Sequence, residues 1–104
     1  MIARLWRGLT RLENAAAYEE HLAGTVFPAL DGIAGHMGAY LLRREVEGDA
    51  EFVVLTLWAS GDAIREFTGE DTDVAVVEPK ARDVLVEYDR RVRHFEVLRA
   101  PESR

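Results

Sequence analysis

The chain has 104 residues, 48% of them hydrophobic and 31% charged, with a net charge of −6 and no cysteine. That length suits one domain of ~100–150 residues, and that balance suits a folded protein rather than a disordered one. The lack of cysteine excludes disulfides, thiolate metal sites and cysteine nucleophiles; the acidic balance argues against a nucleic-acid partner, which demands a basic face; and no apolar run approaches the ~20 residues of a membrane span.

The N-terminus, Met1 to Arg7, has charges inside its apolar stretch and lacks the h-region of a signal peptide, so the expected compartment is the cytoplasm. One domain is expected over residues 1–100, with residues 101–104 as a tail that frays after Pro101. The first strand is expected from Ile2 to about Thr10, with Ala3, Leu5, Arg7 and Leu9 on one face and Ile2 and Trp6 on the other. A helix follows from about Asn14, read as its N-cap, to Leu30. Tyr18, Leu22, Val26 and Leu30 recur every four residues and, with Ala15 and Thr25, form its apolar stripe. Pro28 removes a backbone donor and is expected to kink or end that helix.

After a loop over residues 31–35, a second strand is expected from about Met37 to Val46, a turn at Glu47-Gly48-Asp49, and a third strand from Glu51 to Trp58. The third strand is apolar on both faces: Phe52, Val54, Thr56 and Trp58 on one, Val53, Leu55 and Leu57 on the other. A strand in a two-layer domain needs only one apolar face. The second face therefore asks for further cover, which in so short a chain points to another copy of the protein. Ser60 is placed to cap a second helix, Asp62 complements its dipole, Ile64 and Phe67 point inward and Gly69 ends it. Between Asp71 and Tyr88, Pro79 suits a first helical position, and Ala81, Val84, Leu85 and Tyr88 keep helical spacing, so a short helix is expected there. A last strand is expected from Val92 to Leu98, and the basic group Arg90-Arg91-Val92-Arg93 beside it reads as solvated.

The order β-α-β-β-α-β predicts an α+β, ferredoxin-like antiparallel sheet with its helices on one face. The other face would expose a second apolar set, including Trp6 or Leu5 according to register. Covering ~400 Å² of it per subunit is worth ~10 kcal/mol, set against association costs of ~4–15 kcal/mol, so a homodimer is expected.

The run Leu55-Thr56-Leu57-Trp58-x-Ser60, followed by an amphipathic helix with Phe67, resembles the antibiotic biosynthesis monooxygenase domain family. Gly38-Ala39-Tyr40 and Arg93-His94-Phe95-Glu96-Val97 also fit it, and the resemblance spans residues 1 to about 98. It implies a dimeric α+β barrel, with two sheets packed face to face and a pocket between each sheet and its own helices. It also implies either cofactor-free oxygenation of anthrone- or quinol-type aromatics, or haem degradation. The haem-degrading branch has an asparagine on the first strand where this chain carries Arg7, and its proximal histidine falls near Val76. No histidine occurs in residues 60–90, which argues against the same haem chemistry.

Within that frame the expected catalytic residues are His94, Tyr40 and Arg7, and the expected substrate-binding residues are Trp58, Thr56, His36 and Tyr88. His94 is the candidate proton acceptor, since imidazole titrates near neutral pH. Its alternative is a core histidine held by Glu96 or Tyr88. Tyr40 and Arg7 are the candidate anion stabilisers; their alternatives are cross-strand packing and a salt bridge at the sheet end. Trp58 is either a stacking wall for a flat substrate or a core residue whose indole N–H meets a backbone carbonyl. His36 is either a site residue at a strand end or a solvated loop histidine, and His21, beside Glu19 and Glu20, is expected to be exposed. The histidines lack metal-site spacing, and the acidic cluster at Glu70-Asp71-x-Asp73 reads as a solvated turn. The expected function is a small monooxygenase that needs no bound cofactor and oxidises a small hydrophobic aromatic ligand. The alternatives are a non-catalytic ligand-binding or stress-response module, and a polyketide isomerase or cyclase.

Overall fold

The computed structural model describes residues 1–101, so residues 102–104 of the expected tail lie outside the described residues. Strand β1 (Ile2–Arg11) passes directly into α1 (Leu12–His21), a widened π-helical turn (Leu22–Val26) and α2 (Phe27–Asp31). Strands β2 (His36–Val46) and β3 (Asp49–Trp58) form a hairpin. Its two-residue turn has Glu47 at φ 50° and Gly48 at φ 85°, the pair of positive values that matches the twist of the flanking strands. Helix α3 (Gly61–Thr68), helix α4 (Pro79–Val84) and the short strands β4 (Leu85–Tyr88) and β5 (Arg93–Glu96) complete the chain.

The sheet is antiparallel, in the order β2-β3-β1-β4, with β5 also on β1. This is the ferredoxin-like α+β arrangement expected from the element order. β5 pairs with Ile2 to Leu5 and β4 with Gly8 to Thr10 of β1, so two short strands share one position in the sheet. The chain steps outward between them. Asp89 anchors the step, its backbone N–H donating to the Arg7 carbonyl at 2.9 Å and its carbonyl accepting from the Trp6 indole at 3.0 Å.

Three local expectations are corrected or narrowed. Asn14 is not the N-cap: β1 runs on to Arg11, which holds the extended cap geometry without a side-chain bond, so Asn14 falls inside the first turn. Of the two outcomes expected at Pro28, a kink or an end, the end does not occur. The Phe27 N–H reaches back to the Leu22 carbonyl, opening one wide turn just before the proline; Tyr18, Leu22 and Leu30 stay buried, while Thr25 is exposed. The short helix expected between residues 71 and 88 is present and starts at Pro79, but it is shorter than the spacing suggested. Only Pro79–Val84 is helical; Leu85, which shares the helical spacing, instead opens a strand on the free edge of β1. Backbone pairing along an open edge outweighs the helical spacing there. As expected, the Ser60 hydroxyl accepts from Ala63 N–H at 3.2 Å to start α3, and Gly69 at φ 85° ends it.

The core lies between the helices and the face carrying Trp6, Phe52, Val54 and Trp58. The opposite face presents Leu5, Val53 and Leu55, flanked by Tyr40, Leu42 and Phe95 with about half their surface exposed. No helix among the described residues is long and apolar enough to cross a membrane.

Gly8 fits under Trp6. A Cβ there would meet the indole Cη2 at 2.4 Å and Leu85 Cδ2 at 3.1 Å. Gly8→Ala is therefore expected to push the indole off the Asp89 carbonyl and lower unfolding free energy by about 1–3 kcal/mol. Urea denaturation checks this; an unchanged midpoint would mean that the indole swings aside freely.

Candidate functional site

Between the sheet and the helices lies a cavity of about 110 Å³. Alternation along β1 and β3 brings Arg4, Trp6, Val54 and Thr56 to its floor. Helix α1 supplies Tyr18 and His21, three residues apart and so on one face. Leu22, Val26, Ala29 and Leu30 continue that wall, Phe67 comes from α3, and Val76, Val77 and Glu78 form the rim just before α4.

The side chains around the cavity are linked. Trp58 donates its indole N–H to Thr56 Oγ1 at 2.8 Å and stacks on Phe67, with ring centroids 5.9 Å apart. Phe67 also meets a cation: Arg4 Cζ lies over its ring, 5.4 Å from the centroid. Arg4 is buried and donates from Nη2 to the Val74 carbonyl at 2.7 Å, while its Nε is buried without a partner. Burial lowers its pKa to about 10, opposed by the charge of Asp73, so it stays protonated at neutral pH. Tyr18 packs edge-on to Phe52 and beside His21, with centroids 5.2 and 6.2 Å away. Burial pushes the Tyr18 phenol well above its ordinary range, so it remains a neutral donor. His21 Nε2 lies 3.9 Å from Glu78 Oε2 at the rim.

The expected site residues divide among several places. Thr56 lines the cavity. Trp58 is fully buried behind Phe67, its indole bonded to a hydroxyl rather than to a backbone carbonyl. His36 is not solvated: its side chain is 2% exposed, packs edge-to-face on Trp58 at 5.0 Å and places Nδ1 3.4 Å from Asp31 Oδ1. His94 lies opposite Arg4 in the strand register, with Nδ1 3.1 Å from Asp73 Oδ1, and does not line the cavity. Its partner is thus Asp73 rather than Glu96 or Tyr88. Tyr88 packs against the core with the Arg90 guanidinium 5.3 Å from its ring centroid.

Tyr40 and Arg7 need correction as ligand-contacting residues. Tyr40 pairs with Leu55 and Arg7 with Val53, so both project from the face opposite the cavity. Arg7 there hydrogen-bonds Glu51, as does Arg44, and Glu87 lies 3.8 Å from Arg7 Nη1. Hydrogen bonds from Arg44 and Arg7 hold the Glu51 carboxyl below the usual carboxylate range.

Arg4, Tyr18, His21 and Phe67 were not singled out by the sequence as site residues. A signal existed for two pairs: Arg4 shares strand parity with Trp6, and Tyr18 and His21 share a helical face.

The sequence matches the family model for antibiotic biosynthesis monooxygenase over residues 3–79. Among solved structures, a Bacillus cereus protein provisionally assigned as an antibiotic biosynthesis monooxygenase superposes with a TM-score of 0.69 at 16% identity, over 98% of this chain and 97% of that one. A Deinococcus radiodurans protein with the same provisional assignment gives 0.66 at 12% identity, over 100% and 99%. The heme-degrader MhuD of Mycobacterium tuberculosis, solved with two hemes in its active site, gives 0.66 at 19% identity, over 98% and 100%. These structural likenesses establish the fold. No curated protein matches the sequence significantly.

The residues present do not fit haem. Val76, where the resemblance placed a proximal ligand, lines the cavity as an apolar side chain. At about 110 Å³ the cavity also falls below the ~300–1,000 Å³ of drug-sized ligand sites, and a porphyrin is larger still.

Because the Glu51 carboxyl ionises more readily folded than unfolded, its contribution to stability is present above the ordinary carboxylate range and lost as pH falls through the folded-state value. Glu51→Gln should lower the urea midpoint at neutral pH, and its deficit relative to the wild type should vanish once Glu51 is protonated. A deficit independent of pH would remove the charge-based account.

Proposed function

The chain belongs to the antibiotic biosynthesis monooxygenase family, and we propose that it is a small monooxygenase that oxidises an electron-rich aromatic with O2 and without a bound cofactor. The observation that carries this reading is the pairing of Tyr18 with His21 on one wall of a partly enclosed, aromatic-lined cavity. An oxidation in which the substrate anion itself reduces oxygen needs few groups from the protein: a proton acceptor, a hydrogen-bond donor toward the developing negative charge, and a site shielded from water.

In this proposal neutral His21 takes the proton from the substrate hydroxyl or from its activated C–H. Glu78 Oε2 stands 3.9 Å from His21 Nε2 at the rim. Tyr18, held neutral by burial, donates toward the oxygen that becomes negative. The substrate anion passes its electrons to O2 and forms a carbon–oxygen bond; the peroxide anion takes back the proton from His21, and loss of water from the resulting hydroperoxide, with the hydrogen on the oxygenated carbon, leaves one oxygen atom on the product and the other in the water. Trp6 and Phe67 bracket the ring. His94 is tied to Asp73 outside the cavity, which is why the acceptor role passes to His21. Trp58 holds Phe67 and Thr56 in place rather than stacking on the substrate.

We further propose that a second copy of the chain covers the open sheet face. Its support is the contiguous apolar surface of Leu5, Tyr40, Val53 and Leu55, a kind of patch that marks association sites. Sedimentation should give the mass of two chains for the wild type and of one for Leu55→Lys; a monomeric wild type would remove the dimer.

The activity is checked by oxygen uptake of purified protein given hydroquinones or hydroxyanthrones with no added cofactor. Uptake should require the protein, and His21→Ala should lower it by ~10²-fold or more while the fold is kept. No uptake across both classes would leave a ligand-binding module as the better reading.

A further inference from the structure

Arg4 is costly where it stands. A buried charge is tolerated when it is paired, yet among the described residues Arg4 forms no ion pair with a carboxylate. Asp73 acts on it through space but is occupied by His94 and Arg91. Glu78 is half exposed at the rim, where water screens it, and it faces His21. Arg4's own bonds are one donation to the Val74 carbonyl and the contact with Phe67, and Nε is left buried and unsatisfied. A guanidinium has five N–H donors and no acceptor. Thus the floor of a mostly apolar cavity carries a cation with no carboxylate in contact and with donors to spare.

Resting on the reading of this cavity as the ligand site, we propose that it takes a monocyclic aromatic anion, whose carboxylate or phenolate is bound by Arg4. The anion supplies the missing countercharge through charge-assisted hydrogen bonds, and its ring lies against Trp6 and Phe67. The size is of the order of one ring: the cavity measures about 110 Å³ and is only partly enclosed, against the ~150 Å³ of an enclosed apolar cavity that accommodates benzene. A three-ring ligand would have to displace the rim at Val76 to Glu78.

The test compares benzoate with the neutral, similarly shaped benzamide, by calorimetry and by quenching of tryptophan fluorescence. Wild-type protein should bind benzoate about tenfold or more tighter than benzamide. Arg4→Met, which keeps the length and bulk of the side chain, should abolish that preference while leaving benzamide binding in place, and Arg4→Lys should keep part of it. Equal affinity of the two probes for wild type, an undiminished preference in Arg4→Met, or binding of neither probe would overturn the proposal. A measurement on wild type alone covers the case in which Arg4→Met fails to fold. Bound 4-nitrophenol should ionise at lower pH than the free phenol, seen in its visible absorption, and no shift or an upward shift would overturn the proposal. Oxygen uptake enters none of these readouts. An anion preference without uptake leaves Arg4 as the anion site and removes the oxygenase; uptake with neutral hydroquinone and no anion preference does the reverse.

Discussion

The register of β1 on β3 is the constraint from which the rest of the molecule follows. Pairing Leu5 with Leu55 and Trp6 with Val54 fixes the parity of both strands at once. Arg4, Trp6, Gly8, Val54, Thr56 and Trp58 then face the helices, while Arg7, Glu51, Val53 and Leu55 face away. A slip of β1 by one residue against β3 would turn every β1 side chain to the other face. It would put Arg7 under the helices, away from Glu51 and Arg44 on the outer face, and Trp6 on the outer face with them. Gly8 helps to hold the register, since any side chain at its position would meet the Trp6 indole.

The cavity is a product of the same register and of the segment that covers it. From Asp71 to Ala75 the chain is fastened to the end of the molecule: Val92 N–H donates to the Asp73 carbonyl at 2.7 Å and Ala75 N–H to the Arg90 carbonyl at 2.9 Å. Arg91 and His94 reach back to Asp71 and Asp73. Arg4 fastens the same segment from below through the Val74 carbonyl. The rim residues Val76 to Glu78 follow directly and lead into α4. Arg4 therefore belongs at once to the floor of the cavity and to the anchoring of its cover, so a ligand that engages its guanidinium also acts on the group holding the rim.

Family membership supplies the frame, and this chain's own residues supply the chemistry. The matched region, residues 3–79, includes β1, the helical run, the hairpin and α3, that is, nearly every element that lines the cavity. Yet the polar groups in the cavity wall are Arg4, Tyr18, His21, Thr56 and Glu78, and it is these that bear on the choice among oxidation, haem chemistry and simple binding.

The sequence by itself determined the order of elements, the two-faced character of β3, the Glu47–Gly48 turn and the Ser60 cap, because each rests on periodicity or on chemistry local to a few residues. It also placed Trp58 and Thr56 together on one face of β3, without deciding that this face meets the helices. It did not determine where β1 gives way to α1, or that Leu85 would leave a helix for a free strand edge, because both depend on backbone partners distant in the chain. Above all it left open which face of β1 meets the helices, and so it pointed to Arg7 rather than Arg4 as the cation of the site. Alternation divides a strand into two sets of residues; only pairing with β3 and coverage by α1 decides which set is inside. His21 illustrates the same limit. Its acidic neighbours in sequence suggested exposure, whereas its neighbours in space are Tyr18 and Glu78 at the cavity rim.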